Sequence, residues 1–100
     1  VAKSKPKRFS EVDLYFGGEL ELVEVTDLFD KELMILDVEE HEGGFGEYVA
    51  LKVQVVGEEK VFVTRTGGQV IVKKAKAAQA KHLLPLLGKI VAVKDYYDIQ

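Results

Sequence analysis

Two histidines, two serines and no cysteine are a sparse stock from which to build a reacting centre. His41 sits between Glu40 and Glu42, and His82 lies far from it. With no second imidazole at ligand spacing and no thiolate, neither a zinc site nor another transition-metal site is spelled out. Ser4 and Ser10 both fall near the start of the chain, away from any base and acid that would activate them. Gly43-Gly44-Phe45-Gly46 reads as a hairpin tip, and Gly67-Gly68 lacks the following lysine and hydroxyl, so neither run is a phosphate-cradling loop. Asp37 and Glu39 share a strand face, where paired carboxylates without a pocket are ordinarily solvated. The expectation is a protein that is not an enzyme and has no metal and no cofactor.

Aromatic rings beside cations are the chemistry that remains. Val49, Leu51, Val53 and Val55 alternate with Tyr48, Ala50, Lys52 and Gln54, the period of a strand with one buried face. Gly57 to Lys60 supplies a turn, after which Val61 and Val63 alternate with Phe62 and Thr64. If the valines point inward, Tyr48 and Phe62 stand with Lys52 on the opposite face. Stacking on an exposed ring contributes about 1 to 3 kcal/mol per nucleobase whatever the base; the competing role of each ring is to fill the core. Phe45, among three glycines, is either a stacking finger or a plug folded back over the core. Arg65, before Thr66-Gly67-Gly68, is a phosphate clamp or a solvated strand end.

The elements that must position these residues follow from the rest of the chain. One hundred residues make one domain with one core. No apolar run approaches a membrane span and no signal peptide is recognisable, which with the missing cysteines gives the expectation of a soluble, cytoplasmic protein without a membrane partner. The net charge of −3 hides sorted charges: +4 over residues 1–8, −12 over 11–47 and +5 from Tyr48 onward. An acidic side and a basic side follow, the basic side suiting a polyanion, unless both are ordinary solvated faces. Residues 1–8 read as a flexible basic arm. Residues 9–32 read as an N-terminal extension, strand or short helix, packed on the main domain. Within it Glu19 to Val25 alternates as an edge strand able to pair with a neighbouring copy, giving a homo-oligomer. A first central strand places Met34, Leu36 and Val38 on one face and Ile35, Asp37 and Glu39 on the other. The alanines between Gln69 and Lys81 favour a helix whose buried stripe holds Ile71, Ala75 and Ala78, ended before Pro85. Ile90 to Lys94 and Tyr96 to Ile99 then form two strands joined by a tight turn, or one bent strand.

Three strands, a helix and two strands over residues 33–100 is the order of an OB-fold, the five-stranded Greek-key barrel with a helix between strands three and four. The runs LMILDVEEHEGGFGEYVALKV, FVT, QVIVKKAKAA and YYDIQ, with LP before LGKIVAVK, also resemble small phage-type and bacterial single-stranded DNA-binding proteins. That resemblance implies a platform for bases at Tyr48, Lys52, Gln54, Phe62 and Thr64. One flanking loop is His41 to Glu47 with Phe45 at its tip, and a shorter one lies at Asp95 beside Tyr96 or Tyr97. It implies binding of single-stranded DNA, with RNA left open, in replication or recombination. The carboxylates Glu39, Glu40, Glu42 and Glu47 depart from a strong binder, because they repel phosphate. The alternative is a non-catalytic protein-interaction module on the same barrel, since fold does not fix function.

Overall fold

The computed structural model describes residues 15–44 and 46–100. The expectations for the basic arm, for residues 9–14 and for the ring of Phe45 lie outside the described residues. The fold is mainly β, one mixed sheet with one helix. In chain order the elements are β1 (Glu21–Leu22), β2 (Glu32–Gly43), β3 (Gly46–Val55), β4 (Val61–Thr66), α1 (Gln69–Ala80), β5 (Leu86–Val93) and β6 (Tyr96–Ile99). The strands lie in the order β1-β4-β3-β2-β5-β6, all neighbours antiparallel except β1 with β4. To the five strands expected over residues 33–100 the sheet adds β1, which lies within the Glu19 to Val25 stretch expected as an edge strand and does stand at the sheet's edge. No ladder joins the two end strands among the described residues, so the sheet is open where a closed barrel was expected.

The long β2–β3 hairpin is the spine. Its ladder runs from Leu33 opposite Val55 to Gly43 opposite Gly46, with a register shift between Ile35 and Asp37. That β-bulge inserts Leu36 as an extra residue, so the alternation changes phase within the strand. Leu33, Ile35 and Val38 therefore all reach the same buried cluster, and the simple grouping of Met34, Leu36 and Val38 on one face does not hold. Val49, Leu51 and Val53 meet them from β3, and Ile71, Val72 and Ala75 from α1 cover this inner face. Each such fully buried aliphatic side chain is worth about 1.5–3 kcal/mol in transfer terms.

The helix obeys its composition. Ile71, Val72, Ala75 and Ala78 are buried while Lys73 and Lys74 are exposed. Thr66 Oγ1 accepts the Gly68 amide at 3.1 Å just before the first turn. At the far end Leu83 N–H reaches the Ala78 carbonyl and His82 N–H that of Gln79, the paired bonds of a Schellman motif with His82 left-handed at φ 57°. The turn after β3 uses Gly57 at φ 93°, and β5 and β6 are two strands joined through Lys94 and Asp95.

A second, smaller cluster lies on the outer face. Tyr15, Ala50 and Val63 are buried together, with Phe16, Leu20 and Tyr48 packed around them. The stretch from Tyr15 to Leu20 thus lies across the outer face of β3 and β4 as a strap, tied down beyond it by β1 alongside Phe62 and Val63.

Candidate functional site

Cross-strand partners share a face, so the register of β3 with β4 decides which candidate residues meet. Leu51 faces Thr64 and Val53 faces Phe62, whereas Ala50 faces Arg65, Lys52 faces Val63 and Gln54 faces Val61. Phe62 and Thr64 accordingly belong to the inner face, opposite to the one expected. Phe62 packs against the main core, with Lys60 Nζ 5.2 Å from its ring centroid, and Thr64 is wholly buried. The expectation failed because Val61 and Val63 were assigned to the core by their apolarity. Val63 is indeed buried, at 1 % exposure, but under the strap on the other side. A strand covered on both faces carries no alternation from which to choose.

The outer face keeps Tyr48, Lys52, Gln54 and Arg65. Gln54 lies at one end, its amide donating to the Glu58 and Glu59 carbonyls of the β3–β4 turn. Lys52 stands midway, opposite Asp37 and Val63. Tyr48 and Arg65 sit at the other end in a polar aromatic cluster. The Tyr15 and Tyr48 hydroxyls are 2.9 Å apart, and Arg65 Nη1 donates to Tyr15 Oη at 3.1 Å. His41 stacks on Tyr48 with centroids 5.3 Å apart and planes 16° from parallel. It also donates through Nε2 to Glu39 Oε1 at 2.8 Å.

Beyond this cluster the surface opens. A groove of about 450 Å³ runs between the glycines of the β2–β3 tip and the end of β4, with Tyr48, Glu47 and Arg65 in its walls. A second hollow of about 520 Å³, which shares Thr66 and Gly67 in its lining, reaches Asp95, Tyr96 and Tyr97 at the β5–β6 turn. Glycine suits this path. A Cβ on Gly43 would come 3.2 Å from the Tyr48 ring, and one on Gly68 3.4 Å from Thr66 Oγ1. Tyr96 is 47 % exposed, so its ring has a face to offer. Lys76 Nζ reaches across from α1 to Glu47 Oε2 at 2.8 Å, and that hydrogen bond and charge hold the lysine above its usual pKa.

Of the expected site, then, the fold brings Tyr48 and Arg65 to one hollow and Tyr96 to a second that shares Thr66 and Gly67 with it, leaves Lys52 and Gln54 farther along the outer face, and turns Phe62 and Thr64 inward. Tyr15 was missed as a member, and His41 and Glu39 were expected only as the start of a flanking loop and as a repelling carboxylate, not as partners in the cluster at Tyr48. The outward alternation of Glu39 and His41 past the bulge could have signalled their place beside Tyr48; nothing local could have signalled Tyr15. Among the described residues no helix is long and apolar enough to cross a membrane. No family model matches the chain, and neither does any curated protein or solved structure.

Proposed function

We propose that the chain is an OB-fold module that binds single-stranded nucleic acid, DNA in the first instance, along the groove between the β2–β3 tip and the β5–β6 turn. The observation that carries the reading is the placement of Tyr48 and Arg65 in one hollow and Tyr96 in a second that shares Thr66 and Gly67 with it, two rings for stacking and a guanidinium for phosphate. The strand order from β4 through β3, β2 and β5 to β6, with α1 between β4 and β5, supports it, being the arrangement of an OB sheet before closure. So does the backbone at Gly43, Gly44, Gly46 and Gly67, which leaves room for a chain of bases to pass close. The groove also carries Glu47 and Asp95, so attraction for phosphate is weak and stacking dominates.

Fluorescence anisotropy of a labelled thymine oligonucleotide, at low and moderate salt and with duplex DNA alongside, tests this. Binding to the single strand should fall about tenfold in Tyr96→Ala and in Arg65→Ala. Phe62→Ala, which faces the core, should lose stability rather than affinity. Absence of binding to the folded protein at low salt would sink the proposal.

A second reading has its own observation. Leu86 and Leu87, 40 % and 59 % exposed, line a cleft of about 150 Å³ together with Ile35, Ala78 and Ile99. An apolar patch of that kind is where a protein-interaction module would meet a partner. Its test is whether Leu87→Lys abolishes a complex while leaving oligonucleotide binding unchanged.

A further inference from the structure

The strap lies on the same outer face that a stacking platform would use, and Tyr15 makes there the contacts a base would make. Its ring is 5 % exposed and rests on Ala50 and Val63. It stands edge-on to His41 at 4.9 Å and to Tyr48 at 6.2 Å, with the Arg65 guanidinium 5.9 Å from its centroid. Its hydroxyl meets Tyr48 and Arg65 at one rim, as the polar edge of a nucleobase would.

We infer that Tyr15 is a competitor in cis: a single strand held in the groove extends onto the adjoining outer face by displacing it, and with Tyr15 seated that part of the site is covered. This rests on the nucleic-acid reading and adds its regulation. Three further observations support it. Outside the ring, the strap's own hold on the sheet includes the Phe16 amide, 3.3 and 3.4 Å from the two Glu39 oxygens, which is long for a charge-assisted bond. Phe16 at φ 53° and Gly17 and Gly18 at φ 83° and 77° are left-handed, and for Phe16 that conformation is strained. Glu39 itself discriminates between the occupants, because a carboxylate accepts the neutral amide of the strap and repels a phosphate. The apparent affinity of the full chain is therefore its intrinsic affinity scaled down by the fraction of molecules with Tyr15 unseated. With Tyr15 gone, Ala50 and Val63 form an apolar floor between Tyr48 and Arg65, on which a base replaces the ring.

The test compares the unaltered chain with Tyr15→Phe and Tyr15→Ala, using anisotropy with the thymine oligonucleotide and thermal unfolding of each protein. Amide exchange at Phe16 in the unaltered chain, with and without saturating oligonucleotide, is the second readout. Tyr15→Phe keeps the ring and loses both hydroxyl contacts, so it should bind about fivefold tighter than the unaltered chain. Tyr15→Ala, if it folds, should bind at least as tightly as Tyr15→Phe. Exchange at Phe16 should accelerate in the complex although the protein as a whole is stabilised. Equal or weaker binding by Tyr15→Phe, with Phe16 exchange unchanged or slowed in a complex that forms, overturns the inference and leaves the nucleic-acid reading standing, Tyr15 then being part of the platform or of the core. Failure of all three proteins to bind at low salt removes both.

Discussion

Thr64 shows how one inward-facing side chain can oppose its surroundings. It is wholly buried opposite Leu51, and among the described residues its hydroxyl has no hydrogen-bond partner. A buried unsatisfied polar atom costs roughly 1–3 kcal/mol. Thr64→Val keeps the shape and removes the hydroxyl, so we expect it to raise stability by about 1 kcal/mol in a urea titration; an unchanged or lower midpoint would show that the hydroxyl is satisfied in solution. Binding should be unaffected, since Thr64 faces away from the groove. Residue types in their pattern pointed to Tyr48, by the alternation of β3, and to Arg65, before Thr66-Gly67-Gly68, while Tyr96 came from the resemblance. They failed for Phe62 and Thr64, where the choice of face depended on a strap that no local pattern specifies.

Two element ends carry predictions of their own. His82 occupies the left-handed position that closes α1, where glycine is favoured. His82→Gly should therefore stabilise the protein by about 0.5–1 kcal/mol, read as a higher thermal midpoint. The other end is the pin between α1 and β6. Asp98 accepts Lys74 Nζ at 2.8 Å and the Ile99 amide at 2.7 Å, and chiefly through the Lys74 bond its carboxyl is held below the usual range. A lowered folded-state pKa contributes stability that is present above the ordinary carboxylate value of about 4 and is lost as pH falls through the lowered one. Asp98→Asn should accordingly lower stability between pH 6 and 8 and flatten the acid limb below about pH 4, the two proteins converging as Asp98 protonates; an unchanged acid limb would remove Asp98 from the account. At this scale the sequence was a good guide to α1, to the turn at Gly57 and to the β2–β3 hairpin, whose signals are local. It misjudged the phase of β2, because one inserted residue at Leu36 leaves both the composition and the strand's existence intact.

For the molecule as a whole the sorted charges resolve into pairs that tie distant segments together. Lys60 meets Glu21 at 2.9 Å and Lys76 meets Glu47 at 2.8 Å, each joining the basic half to the acidic one. Cations engaged in this way are poorly placed for phosphate. Among the described residues Arg65 is the basic side chain that lines the groove, so the logarithm of the binding constant should fall with the logarithm of salt at a slope of about −1. A slope steeper than about −3 would instead bring in cations from elsewhere, with the four of residues 1–8 the first to remove. The order of strands was legible because it follows the order of turns, and the alternation of Glu19 to Val25 marked the edge strand β1, whereas its pairing with β4 and the open sheet were not legible, since both depend on where a charged segment comes to rest. That segment also has a place in time. Tyr15 is made 33 residues before Tyr48 and 50 before Arg65, so it leaves the ribosome long before the surface it will cover exists. The β2–β3 hairpin closes between neighbours in sequence, while the strap must wait for the whole of β4. Every newly made chain thus passes through an interval in which Ala50 and Val63 are still wet, and whatever else binds an apolar sheet face, a chaperone or another unfinished chain, has its opportunity then.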